Sequence, residues 1–401
     1  MPNPVTISRV TLRNYKSIAR CSIPLRSLVF LVGPNGSGKS NFLDALRLVA
    51  ESLNTSLDHA LRERGGINEV RRRSAGHPTH FGIRLDLRLT DGRTAYYAFQ
   101  VGARPKGGFE VQHEECRVFA PAALGEEHFY EIVSGEIKAS SLKACPPATG
   151  DRLYLVAASG LHEFRPVYDC LSRMGFYNLN PEEIRDLQPP DAGELLMRDG
   201  ANAAAVLDHL PNKDKLRVVE FLSKVVPGIV DVNAIRVGKK ETLEFRQTVG
   251  SNGVPWRFMA ENMSDGTLRA LGILTALFQS GIPSHKKAPV VGIEEPESAL
   301  HPGAAGVLRD ALREAARHTQ VLVTSHSPDL LDNKSISDED IIAVEMRSGE
   351  TLIAPVDVAG RNAIRTKLYT AGELLRMNQL NPDEEQINRM AEPELFGEAK
   401  A

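Results

Sequence analysis

Apolar and polar positions change period several times along this chain, and each change marks an element. Val5 to Leu12 alternates loosely and predicts a strand. Leu28-Val29-Phe30-Leu31-Val32 is a continuous apolar run, as expected of a strand buried on both faces in a parallel sheet. A glycine-rich turn follows, then a helical period from about Ser40 to Ser52 with Phe42, Leu46 and Val49 on one face. Ile83, Leu85, Leu87 and Leu89 alternate with polar residues, and Ala95, Tyr97, Phe99 and Val101 do so again after Asp91-Gly92, which predicts a hairpin. Strand-like pieces continue to about Val156. Helical spacing returns from Glu163 to Met174, and the acidic, proline-containing stretch Asn180 to Pro190 reads as a loop. Helices are expected over Ala201–Leu210 and Lys213–Val225. The last third predicts a helix over Thr267–Gln279, a buried strand Val290–Ile293, a helix Gly303–Arg317 and a buried strand Val321–Thr324. Strand-like runs at Ile341–Val344 and Leu352–Val356 flank a turn near Ser348-Gly349, with a helix through Leu374. The acidic tail after about Asn378 is expected to be loosely held.

Composition narrows the function classes. The chain has 401 residues, 42% hydrophobic and 25% charged, which suffices for a full core in one large or two ordinary domains. A net charge of −3 supplies no global field for nucleic acid, so any DNA contact needs a local patch. Arg62-Glu63-Arg64 and Arg71-Arg72-Arg73 form the best cluster, which Arg84, Arg88, Lys106 and Lys138 could extend; a solvated face explains it equally well. Cys21, Cys116, Cys145 and Cys170 form no C-x-x-C pair, which argues against zinc and suits a reducing compartment. The N-terminus lacks a signal-peptide pattern and no run of 18 apolar residues occurs, so a cytoplasmic protein without membrane contact is expected.

Four motifs carry chemistry. Gly33-Pro34-Asn35-Gly36-Ser37-Gly38-Lys39-Ser40 matches G-x-x-x-x-G-K-[ST] between a buried strand and a helix. Glycines let such a loop wrap a phosphate with its N–H groups inward, Lys39 reaches the β- and γ-phosphates, and Ser40 holds Mg²⁺. Gly33, Asn35, Gly36, Ser37, Gly38, Lys39, Ser40 and the adjoining Asn41 are therefore assigned to ATP. Second, the strand Val290-Val291-Gly292-Ile293 ends in Glu294-Glu295-Pro296, a Walker B arrangement. Glu294 is assigned to the metal side and Glu295 to general-base catalysis, although many ATPases carry Asp where Glu294 stands. Third, Met263-Ser264-Asp265-Gly266-Thr267 precedes an apolar helix about 30 residues before Glu294; alone it reads as an ordinary helix cap. Fourth, Thr324-Ser325-His326-Ser327-Pro328 follows a buried strand, where a histidine points into the ligand crevice of an α/β sheet.

In this order the motifs resemble the ABC ATPase superfamily, and the long gap between Lys39 and Ser264 resembles its RecF/SMC/OLD branch. The run Ser264 to Arg269, then Glu294-Glu295-Pro296-Glu297-Ser298-Ala299-Leu300-His301-Pro302, then His326-Ser327-Pro328, resembles the prokaryotic "predicted ATPase" group called AAA_21. Leu12-Arg13-Asn14-Tyr15-Lys16-Ser17-Ile18 resembles that group's first strand and turn, and Asp199-Gly200-Ala201-Asn202 also has counterparts there. The resemblance implies an α/β fold: a two-lobed head with a P-loop core sheet, an antiparallel β lobe and a compact, mainly helical insertion. Its expected divisions are residues 1–160, 161–255 and 256–401. It further implies a homodimer, or a higher even oligomer, that sandwiches two ATP molecules. Ser264 and Gly266 would contact the γ-phosphate held by the partner copy, Ser298 to His301 would form the D-loop, and His326 would be the catalytic switch histidine. Lys16 would touch the nucleotide. Gly65-Gly66-Ile67-Asn68-Glu69 occupies the region of the Q-loop but has no glutamine. Families with this head serve DNA repair or defence against phage, which implies a nucleotide switch acting through a separately encoded effector and possibly DNA. The alternatives are an OLD-type nuclease subunit and a transporter ATPase subunit. The first needs a metal-binding domain after the head, where 75 residues follow His326; the second expects a signature closer to the P-loop.

Overall fold

The computed structural model of the protein describes residues 6–74, 76, 78–89, 91–105, 107–119, 127–249, 253–279, 288–389 and 394–397. The first stretch forms β1 (Thr6–Tyr15), β2 (Ile18–Pro24), β3 (Leu28–Val32), α1 (Lys39–Asn54), α2 (Leu57–Arg62), α3 (Ile67–Val70), β4 (His80–Arg88), β5 (Thr94–Ala103), β6 (Phe109–Phe119), β7 (Glu127–Val133), β8 (Glu136–Ser140), α4 (Leu155–Ala158) and α5 (Arg165–Ser172). The middle forms β9 (Gly175–Tyr177), α6 (Pro181–Arg185), α7 (Ala203–His209), α8 (Asn212–Val225), β10 (Ile229–Val237), β11 (Lys240–Thr248), β12 (Pro255–Met259), α9 (Asp265–Phe278), β13 (Val290–Glu294), α10 (Ala305–Ala315), β14 (Gln320–Ser325) and α11 (Pro328–Leu331). The last forms β15 (Ile341–Arg347), β16 (Glu350–Pro355), α12 (Val358–Arg365), α13 (Ala371–Arg376) and α14 (Glu384–Arg389). Among the described residues, no helix is long and apolar enough to cross a membrane. Two compact units result: one of residues 1–174, 337–368 and 377–401, the other of residues 175–336 and 369–376.

The first unit contains the sheet β2-β1-β4-β5-β6-β7-β8, antiparallel throughout. The alternation that predicted the hairpin sorts its side chains. Phe81, Ile83, Leu85 and Leu87 of β4 share a buried face with Tyr97, Phe99 and Val101 of β5. Tyr15 and Phe99 each meet Phe81 edge-on. Helix α1 buries Phe42, Leu46 and Val49, as its period predicts, and packs against α5. Strand β3, buried at all five positions, runs parallel to β15, which turns through Ser348-Gly349 into β16. One carboxylate sits inside this core. Glu114 of β6 accepts hydrogen bonds from the hydroxyls of Tyr97 (3.1 Å) and Tyr130 (2.9 Å) and from the N–H groups of Tyr154 (2.6 Å) and Leu155 (2.8 Å). Burial pushes its carboxyl up to about 7 against the opposing pull of those donors.

The second unit holds the parallel strands β14-β13-β9, with Ile293 opposite Tyr177. Helix α9 is buried on nearly every side, in keeping with its almost unbroken apolar sequence. The region expected to be mainly helical has α7 and α8, and it also carries the antiparallel sheet β10-β11-β12. The loop expected at 180–190 contains one short helix, α6, capped by the Asn180 side chain with Pro181 in its first turn.

Candidate functional site

In the first unit the P-loop occupies the turn from β3 into α1. Gly38 has φ 98°, and a Cβ there would run into Oγ1 of Thr351, so only glycine fits. The Lys39 ammonium donates to the carbonyls of Gly33 (2.8 Å) and Pro34 (2.9 Å), which places it inside the curl of the loop. Asn35, Gly36 and Ser40 face solvent, while the buried Oγ of Ser37 has no hydrogen-bond partner. A relay of side chains fixes the loop from behind. Asn41 donates to the Ser17 hydroxyl (2.7 Å), Ser17 lies 2.6 Å from the Thr351 hydroxyl, and Thr351 donates to the Ser37 carbonyl (3.0 Å). Asn41 thus braces the loop through its side-chain amide.

Lys16, with φ 48°, ion-pairs with Asp44 at 2.6 Å, one turn into α1. Asp44 also takes the Tyr15 hydroxyl (2.8 Å) and the guanidinium groups of Arg47 and Arg64. Burial alone would raise the Asp44 carboxyl; Arg64, Lys16 and Arg47 outweigh it and hold the group well below the usual carboxylate range. This cluster alters the reading of the basic patch. The Arg64 side chain is only 3% exposed and serves Asp44 and Glu51. Arg62, Arg72 and Arg73 pair with Asp58, Glu350 and Glu69, and buried Arg84 pairs with Asp86. Arg88 and Lys138 are exposed; Lys106 lies outside the described residues. The arginines that suggested a nucleic-acid surface are largely neutralised or buried. Gly65 and Gly66, both with positive φ, turn the chain between α2 and α3.

In the second unit, β13 delivers two carboxylates at its C-terminal end. Glu294 meets Arg198 at 2.9 Å. Glu295 departs from the strand with φ 44°, a left-handed conformation that costs a non-glycine residue about 1–3 kcal/mol. Its N–H donates to the carbonyl (3.0 Å) and hydroxyl (3.2 Å) of Thr324 on β14, and these bonds hold the strained turn. Oε1 of Glu295 lies 3.2 Å from Nδ1 of His326, a close contact without aligned hydrogen-bond geometry. Arg269 of α9 donates to the main-chain carbonyls of Leu179 (2.7 Å) and Glu295 (3.2 Å). Burial lowers the Arg269 guanidinium, and Glu297 and Glu295 oppose that shift.

The histidine loop is organised by a residue to which the sequence assigned no role. Oε1 of Glu297 accepts from the Ser325 hydroxyl (2.6 Å) and the N–H groups of His326 and Ser327 (both 3.2 Å). Ser264 caps α9, accepting from Thr267 N–H at 3.3 Å, so its ordinary structural role is realised. Gly266 has a tighter constraint: a Cβ there would stand 2.7 Å from the Ala299 carbonyl. Ala299, with φ 64°, brings the Ser298–His301 segment over the start of α9. Glu297 and Arg269 both lie inside the motifs quoted above, but their roles need three-dimensional neighbours. Arg198 and Thr351 have no local signal at all.

The arrangement suits a nucleotide and a divalent cation. Among the described residues no three His, Cys, Asp or Glu side chains gather as a metal site, and Mg²⁺ in P-loop proteins takes few protein ligands and several from phosphates. The first unit offers the Ser40 hydroxyl and the enclosed Lys39 ammonium, and the second offers the Glu294 carboxylate.

Comparison with known proteins agrees with this chemistry. Residues 189–332 match the AAA_21 family, described as "AAA domain, putative AbiEii toxin, Type IV TA system". Residues 6–87 match the AAA_15 family, an AAA ATPase domain. No curated protein matches in sequence. Among solved structures, an SMC head bound to the C-terminal winged-helix domain of ScpA is similar over 88% of this chain and 99% of its own, with TM-score 0.57 and 15% identity. The SMC head with an extended coiled coil bound to the C-terminal domain of ScpA, derived from Pyrococcus furiosus, is similar over 91% and 99%, with TM-score 0.53 and 13% identity. A Pyrococcus yayanosii SMC head with coiled coil and joint gives 91%, 99%, 0.50 and 12%. These likenesses establish an α/β head of the SMC type. The two family matches give the chain AAA ATPase domain sequence at residues 6–87 and 189–332, and the likeness to SMC heads gives its fold.

Proposed function

We propose that this protein binds ATP with Mg²⁺ and hydrolyses it as a dimeric nucleotide switch, serving DNA repair or anti-phage defence through a separately encoded effector. The observation that carries the reading is the strained Glu295 carboxylate beside His326, in a chain whose Lys39 already lies within a P-loop. Strain at a polar residue is retained where surrounding bonds enforce it, and Thr324 and Arg269 enforce it here.

The roles follow from side-chain chemistry. Lys39, the loop N–H groups and the start of α1 bind the phosphates. Ser40 and Glu294 would hold Mg²⁺, which when bound would supply positive charge against the phosphates. Glu294 must exchange Arg198 for that duty. Glu295 orients a water and takes its proton, and His326 stabilises the charge that develops. Ser264 and Gly266 act on the nucleotide of a second copy, so closure of the dimer completes each site. Two facts support an assembly of this kind: solved SMC heads of similar fold are bound to ScpA domains, and the AAA_21 description names a toxin–antitoxin system. Cytoplasmic operation and DNA contact remain parts of the same proposal.

The test is Glu295→Gln, which preserves shape and removes the base. ATP binding should persist while turnover falls by about 10²–10⁴-fold. Turnover at the wild-type rate would remove Glu295 from the mechanism.

A further inference from the structure

One face of the seven-stranded sheet holds a cluster of side chains apart from the ATP motifs. Pairing registers align Gly82, Gln100 and His113 in one row across β4, β5 and β6, and Arg84, Ala98 and Glu115 in the next. These six positions share the face opposite the Phe81–Leu87 core stripe. A glycine and an alanine make a depression there, bordered by an imidazole, a guanidinium and a carboxylate. Residues 394–397, from the far end of the sequence, occupy it.

Each contact reads a feature of that segment. Leu395 is 2% exposed and sits where a Cβ on Gly82 would stand. The Phe396 ring stacks on His113 with centroids 3.6 Å apart and planes at 15°. Arg84 donates to the carbonyls of Leu395 (3.2 Å) and Gly397 (3.1 Å), and Glu115 accepts the Gly397 N–H at 3.2 Å. Arg84 and Glu115 are 5% and 2% exposed. Arg84 is also fixed by Asp86 and by the Tyr96 ring, 3.8 Å beneath its guanidinium. A pocket for one side chain, a stacking partner for the next and paired main-chain bonds from pre-positioned charges are the elements of peptide recognition.

We propose that this face is a peptide-binding site specific for Leu-Phe-Gly, and that the chain's own C-terminal segment is its tethered, exchangeable ligand. A tethered ligand competes at an effective concentration of about 1 mM, so a free peptide with Kd of about 0.1 mM is weakened roughly tenfold by the resident tail.

The test uses a fluorescent peptide with the sequence of residues 392–401 and the full-length chain carrying Leu395→Ala and Phe396→Ala, which vacates the site. Fluorescence anisotropy should show saturable binding, about tenfold tighter than to the wild-type chain. Adding His113→Ala to that variant, or placing alanines at the Leu and Phe of the peptide, should abolish it. No binding to a vacated chain with unchanged circular dichroism overturns the proposal. If the double variant does not fold, Phe396→Trp in the full chain serves instead, because Trp256 is the only other tryptophan. Excess unlabelled peptide should then move the indole emission to that of a solvated ring; an unchanged emission at saturating peptide overturns the proposal equally.

Discussion

Replacing Glu114 by Gln tests the electrostatics of the lobe that carries the P-loop. A carboxyl raised from 4.5 to about 7 costs the folded chain about 3 kcal/mol once it ionises, at about 1.36 kcal/mol per pH unit. The sign follows from proton uptake. Below about pH 4.5 the group is protonated in both folded and unfolded chains and contributes no pH dependence. Between about 4.5 and 7 the unfolded chain has released its proton and the folded chain has not, so stability falls as pH rises. Above 7 the full penalty is present. Glutamine has no charge to desolvate, but one of its ends is an amide nitrogen. Facing Tyr154 N–H, that end leaves a buried donor unmet at a cost of about 1–3 kcal/mol. The variant should therefore be less stable than wild type by about 1–3 kcal/mol at pH 5 and equal to it or more stable at pH 8. Urea unfolding of both proteins at four pH values and constant ionic strength measures the difference. A swing of about 2–3 kcal/mol between pH 5 and pH 8 is expected, whereas a difference independent of pH would refute the account.

Two further outcomes concern the ATP machinery. A Ser264→Ala chain and a Lys39→Ala chain, each inactive alone, should partly recover turnover when mixed, because one hybrid site then holds both intact halves; no recovery despite proven subunit exchange contradicts the facing dimer. Glu297→Ala removes the acceptor shared by Ser325, His326 and Ser327, so turnover should drop at least about tenfold with ATP affinity kept, and an unchanged rate would show that His326 needs no such anchor.

Short-range patterns were the legible part of this sequence. The buried strand, glycine turn and helix around Lys39 are adjacent in the chain, and so are β13 and its two carboxylates. The β4–β5 hairpin was readable because one face is apolar at every second residue. The sheet β10–β12 was not, since only scattered positions such as Val232, Leu243 and Phe245 are fully buried and no clean alternation results. Contacts between distant positions were equally silent: Thr351 braces a loop 314 residues away, and Arg64 is drawn inward by Asp44 although it stands in a basic run. The tail was expected to be loosely held, yet Leu395 is buried because a glycine on β4 leaves room for it. Nothing near Leu395 in sequence announces that partner.

ATP binding and turnover by the Lys39→Ala chain, measured beside wild type and Glu295→Gln, bear most directly on the central claim. The Lys39 ammonium is held within the loop curl by the carbonyls of Gly33 and Pro34, and its removal leaves the apolar buried face of α1 intact. The account predicts that Lys39→Ala loses nucleotide binding or turnover while keeping its fold, and that Glu295→Gln binds ATP without turning it over. A Lys39→Ala protein with wild-type affinity and rate would contradict it.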